Sequence, residues 1–119
     1  MGAPVVHFEI GCQNHQSTVA FYRDLFGWGM ESHGPTMSMA NTGSTVGIQG
    51  HLSSLGHPPH QYVTVYVQVD DLEASLAKAG KLGGKTIVPP QEVPGMGHFA
   101  WFQDPEGNCI GLWKPMGAC

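Results

Sequence analysis

At 119 residues, with nine acidic and five basic side chains and a net charge of −4, the chain is one domain's worth, long enough to bury a core without disulfides. The five bases, Arg23, Lys78, Lys81, Lys85 and Lys114, are scattered, so the basic face of a nucleic-acid binder is missing, and no apolar run approaches a membrane span. Cys12, Cys109 and Cys119 are odd in number with no CxxC, and Met1 to Pro4 do not make a signal peptide, so a soluble cytoplasmic protein is expected.

Seventeen glycines and nine prolines point to short strands joined by tight turns. Along residues 5–10, Val6, Phe8 and Ile10 share one face and Val5, His7 and Glu9 the other, the period of a half-buried strand. A helix follows, capped by Asn14, with Val19, Tyr22 and Phe26 on one stripe and a stop at Gly27. The first half closes with strands around a loose turn at Asn41-Thr42-Gly43, the last of them carrying Gly47, Gln49 and His51 on one face. Leu52 to His60, with Ser53-Ser54 and Pro58-Pro59, reads as a linker.

A second alternating strand covers residues 62–69, with Tyr62, Thr64, Tyr66 and Gln68 opposite a face of four valines. Asp70-Asp71-Leu72-Glu73 reads as a capping box with Asp70 as the cap, and Leu72, Leu76 and Ala79 form the buried stripe of a helix ended by Gly83. The Pro/Gly-rich run Val88 to Gly97 reads as a loop, either a surface connection or a lid over a site. Trp101 to Trp113 is a hairpin turning at Asp104-Pro105-Glu106-Gly107. A three-residue loop there sets Trp101 opposite Gly111 and Phe99 opposite Trp113; the same register in the first half sets Met37 opposite Gly47.

The string is β-α-β-β-β written twice. His7 falls on Thr64 and Leu25 on Leu82, 57 residues on, and the offset grows to 64 where residues 43–48 fall on residues 107–112. The expectation is a single α+β domain of two βαβββ modules, about 4–53 and about 61–115, joined by a linker at about 54–60. Helices take one face of each sheet. The opposite faces curve around a shared cup, where function is expected.

Val5-Val6-His7-Phe8-Glu9, Ala20-Phe21-Tyr22-Arg23-Asp24-Leu25-Phe26-Gly27-Trp28, Leu82-Gly83-Gly84-Lys85 and Phe102-Gln103-Asp104-Pro105-Glu106-Gly107-Asn108, in this order, resemble the vicinal oxygen chelate superfamily. That group holds glyoxalase I, extradiol dioxygenases, fosfomycin-resistance thiol transferases and bleomycin-binding proteins. The likeness covers nearly the whole chain and is greatest to glyoxalase-related proteins. It implies the curved-sheet cup and a homodimer.

In metal-dependent members, the resemblance implies ligands from the first and last strands of each half. Here those positions read His7, Gly47, Thr64 and Gly111, of which only His7 ligates a divalent ion in the ordinary way. No metal ligand set and no cofactor is therefore expected, and a degenerate metal site is the reading. The alternative is a metal-dependent lyase or isomerase with rearranged ligands drawn from His7, Glu9, Gln49 and His51. His7 and Glu9, on one strand face, are the candidate catalytic pair for proton transfer; the plainer reading has Glu9 only orienting a neutral His7. Met37, Gln49, Tyr62, Thr64, Tyr66, Phe99, Trp101 and Trp113 are the candidate substrate-binding residues of a largely apolar small-molecule pocket. The same aromatics serve equally as filling, or as the face of a non-catalytic interaction module. Partners are thus a small-molecule ligand, with no nucleic acid and no membrane.

Overall fold

A computed structural model describes residues 2–117; Cys119, counted among the three cysteines, lies outside them. The chain forms two compact units, one running from His7 to Thr64 and the other from Val65 onward together with the residues before His7.

The first unit holds β1 (Val5–Gly11) from His7, α1 (His15–Phe26), β2 (Gly29–Ser32), β3 (Met37–Asn41), β4 (Gln49–Ser53) and the start of β5 (Tyr62–Gln68). Its strands pair in the order β2-β3-β4-β1, antiparallel except for the parallel β1–β4 pair. Alternation along β1 divides the two faces as the sequence predicts. Glu9 is buried, while Phe8 turns the other way and packs its ring 5.5 Å from that of Trp28. Trp28 in turn stacks on Tyr22 at 5.5 Å and meets Phe26 at 5.2 Å. This aromatic cluster, rather than any fully buried α1 residue, anchors the helix. Asn14 caps α1 as expected, its side chain accepting from the Ser17 amide at 3.0 Å, and Gly27 ends it in the left-handed conformation at φ 73°.

The close of the first unit departs from expectation. Residues 42–48 form a loop, so Gly47 lies outside β4, and Met37 pairs with Ser53 while Met39 pairs with His51. The reason is local side-chain bonding. The Asn41 side chain accepts from the Gly43 amide at 2.8 Å, Ser44 Oγ accepts from the Val46 amide at 2.9 Å, and the Gln49 amide donates to Thr42 Oγ1 at 3.2 Å. Such bonds offer the backbone an alternative to the ladder. At the other end, Leu52 and Ser53 belong to β4 and not to a linker, and Leu52 has no exposed surface.

The second unit repeats the topology with the rest of β5, α2 (Leu72–Lys81), β6 (Lys85–Val93), β7 (Gly97–Gln103) and β8 (Cys109–Pro115), paired in the order β5-β8-β7-β6 with β5–β8 parallel. Trp101 pairs with Gly111 and Phe99 with Trp113, the expected register. The turn is held by Asp104, whose side chain accepts from the Glu106 and Asn108 amides at 2.9 Å while Gly107 takes φ 93°. Bonds from Asn108, side chain first and then backbone, hold the exposed Asp104 carboxyl below the usual range.

The α2 cap is Asp71, not Asp70: its side chain accepts from the Ala74 amide at 2.9 Å. Glu73 then sits at the second helical position, one residue too early for the reciprocal bond of a capping box. The Pro/Gly-rich run is neither loop nor lid. It continues β6 to Val93 with irregular pairing between Thr86 and Gln91, and a tight turn closes with Met96 N–H donating to Val93 at 3.0 Å. An outermost strand tolerates Pro89 and Pro90, whose missing N–H groups no ladder bond requires.

Candidate functional site

In the first unit, the parallel β1–β4 register puts Glu9 beside His51 and His7 beside Gln49. Period-two alternation sends His7, Glu9 and His51 to one face. There they form a linear chain: Glu9 Oε1 lies 3.2 Å from His51 Nε2, and His51 Nδ1 lies 2.6 Å from His7 Nε2. The two imidazole centroids are 4.9 Å apart. Glu9 is 3% exposed, and its second oxygen accepts a short bond from the Tyr62 hydroxyl.

The chemistry of these groups assigns the protons. A carboxylate only accepts, so Tyr62 O–H and His51 Nε2–H both donate to Glu9. His51 Nδ1 then accepts from His7 Nε2–H, the tautomer pair that this run of contacts sets. Burial above all, with His51 second and the Glu9 charge opposing, lowers the His7 pKa to about 4, so its ring is neutral at neutral pH. Burial first, then the bond to Glu9 and its charge, pushes the Tyr62 phenol up, so Tyr62 stays a donor. The arrangement can accept a proton at His7 and pass positive charge toward a buried carboxylate.

The other candidates divide. Thr64 is buried on the same strand as Tyr62. Gln49 spends its amide on Thr42 and Ser44 of the loop. In the second unit, Tyr66 and Trp101 are 6% and 9% exposed, with Trp101 Nε1–H donating to Tyr66 Oη at 2.8 Å. A Cβ on Gly111 would collide with the Tyr66 ring, which occupies the space a ligating side chain would need. Phe99 and Trp113 pair beside them, half-buried. Two grooves of the first unit flank α1, one including His15 and Arg23 and the other Thr18 and Tyr22, and neither is lined by His7, Glu9 or His51.

His51 is the residue undervalued from sequence. Glu9 pairs with His51 as Tyr66, 57 residues on, pairs with Gly111. His51, not Gly47, is therefore the counterpart of Gly111, and the offset in the last strands is 60 rather than 64. The alternation of Gln49 and His51 with the parallel partner Glu9 was the available signal. Two of the four positions that the resemblance assigns to metal thus carry imidazoles, and their facing nitrogens are in direct contact at 2.6 Å. Both His51 nitrogens are engaged, by Glu9 and by His7, and His7 Nε2 is turned onto His51. Among the described residues, no group of three or more His, Cys, Asp or Glu is disposed to hold a metal ion. A catalytic divalent ion wants three protein ligands and an open position. The donors as arranged do not fit it.

Among the described residues, no helix is long and apolar enough to cross a membrane. DnrV, an anthracycline biosynthesis protein of Streptomyces peucetius, is 27% identical over 130 residues, which covers 95% of this chain and 47% of that protein. CFP32 of Mycobacterium tuberculosis is 42% identical over 60 residues, half of this chain and 22% of that protein. The chain thus spans less than half the length of either relative. A glyoxalase/bleomycin resistance protein/dioxygenase superfamily member from Vibrio splendidus superposes with a TM-score of 0.64 at 17% identity, over 97% of this chain and all of the other, and shares its fold. The sequence profile of that superfamily matches residues 5–112. With a βαβββ module in each unit and a matched profile over nearly its whole length, the chain belongs to the Glyoxalase/Bleomycin resistance protein/Dioxygenase superfamily.

Proposed function

We propose that this domain binds a small, partly apolar organic molecule at the His7 end of the Glu9–His51–His7 chain and accepts a proton from it there. The observation that carries the reading is the chain itself, a buried carboxylate linked through one imidazole to a second, neutral one. Removing a proton from a ligand places positive charge on the imidazoles, where the Glu9 carboxylate stabilises it. The two methionines of β3, half-buried beside β4, supply adaptable apolar surface. The relative named for anthracycline biosynthesis supports an organic ligand of partly aromatic character. The reading includes a homodimer, for which the exposed Phe21, Leu25 and Phe26 of α1 give an apolar face; sedimentation equilibrium tests that part.

The chemical part is tested by following loss of deuterium from carbon next to the carbonyl in a panel of small aldehydes, ketones and thioesters. Catalysed exchange is expected for a subset. It should fall ~100-fold or more in His7→Ala and in Glu9→Gln, the scale of a general base. Exchange at equal rates in the variants, or none across the panel together with no binding, defeats the reading.

A further inference from the structure

We propose that Tyr62 is a positioning residue for the Glu9–His51–His7 chain, and that position 11 is glycine so that the Tyr62 ring can reach the carboxylate. Sequence reasoning places Tyr62 among substrate contacts; its geometry gives it a different task. The ring lies directly across Gly11, and a Cβ there would fall inside three of its carbons. Laid flat over the end of β1, the ring carries its hydroxyl to Glu9, two residues back along the same strand. The hydroxyl donates to Oε2 while His51 Nε2 lies against Oε1, so the two donors hold the carboxylate from both sides. A carboxylate held at one oxygen alone swings about its terminal torsion, which is broad and roughly two-fold. Held at both, it presents Oε1 to His51 in one orientation and thereby fixes which His51 nitrogen carries the proton.

The second unit repeats the packing. Tyr66 lies on Gly111 in the same manner, and its hydroxyl accepts from Trp101. Tyrosine over a neighbouring strand's glycine is thus a packing device of this fold. In the first unit the hydroxyl reaches Glu9 and aims an ionisable group. Tyr62 acts through Glu9 and needs no contact with a ligand.

The inference rests on the relay reading for its location, and its test separates the two. Imidazole protons and nitrogens of the intact chain, labelled with nitrogen-15, are followed by NMR in the wild type, in Tyr62→Phe and in Gly11→Ala. The wild type is expected to show a water-protected His51 Nε2–H with a single tautomer. Tyr62→Phe keeps the ring and should leave thermal unfolding within a few degrees, yet speed exchange of that proton about 10-fold, the scale of one charge-assisted hydrogen bond. Gly11→Ala, with the hydroxyl still present but the ring displaced, should give the same spectral change. If Gly11→Ala does not fold, Tyr62→Phe alone decides. A protected proton in the wild type that is unchanged in Tyr62→Phe overturns the positioning role and leaves the relay standing. No protected His51 proton in the wild type overturns both.

Discussion

The two units share one topology and one parallel strand pair, yet they fill the face of that pair in opposite ways. In the first, Glu9 and His51 sit side by side and link to His7 and Tyr62, a polar chain inside a mostly shielded space. In the second, the same pair of positions is Tyr66 and Gly111, closed over by an aromatic ring and finished with Trp101. The first unit carries a linked carboxylate and two imidazoles on this face, where the second carries packed aromatic rings. The proposed chemistry lies in the first unit and a packed aromatic pair in the second, and substitutions should separate them.

The largest expected effect belongs to the apolar face. Trp101→Ala removes a buried indole and should cost about 3–5 kcal/mol of stability in urea unfolding. Leu52→Ala, at the fully buried centre of β4, should cost about 2–5 kcal/mol, and a smaller loss would mean that the first unit's core collapses readily around the gap. Next is pH. The folded chain takes up the His7 proton near 4 and the unfolded chain near the ordinary 6.5, so the unfolded state binds more protons between those values. Stability should accordingly fall as pH drops from about 6.5 to about 4, with no further contribution from this group below that. Urea midpoints for His7→Asn should lose that part of the slope; an unchanged slope would place the penalty elsewhere. The smallest effect is Tyr66→Phe, which deletes one buried hydroxyl and should cost roughly 1 kcal/mol in urea unfolding. A loss of several kcal/mol would show that the hydroxyl's bond to Trp101 holds the pair together.

Much of this was legible in advance where local chemistry decides. Alternation assigned His7 and Glu9 to one face of β1, the Asn14 cap and Gly27 stop bounded α1, and the turn at Asp104 set the Trp101–Gly111 register. What escaped were features in which side chains compete with the ladder or strands far apart in sequence meet. Thr42, Ser44 and Gln49 bond among themselves and Asn41 accepts from the Gly43 amide, which delays β4 and hid His51 behind an apparent match to Gly47. Pro89 and Pro90 read as punctuation, though an outer strand accommodates them. The Tyr62–Glu9 bond joins residues 53 apart and depends on a missing Cβ at Gly11, which no periodicity announces.

The irregular outer strand β6 has a consequence for handling the protein. A long, flat border with regularly spaced free donors invites a neighbouring molecule to add its own strand and seed aggregates. Here the border offers no donor at Pro89 or Pro90 and changes step twice between Thr86 and Gln91, so a newcomer finds no continuous template. Replacing both prolines with threonine would restore one, and concentrated solutions of that variant should cloud where the natural chain stays clear.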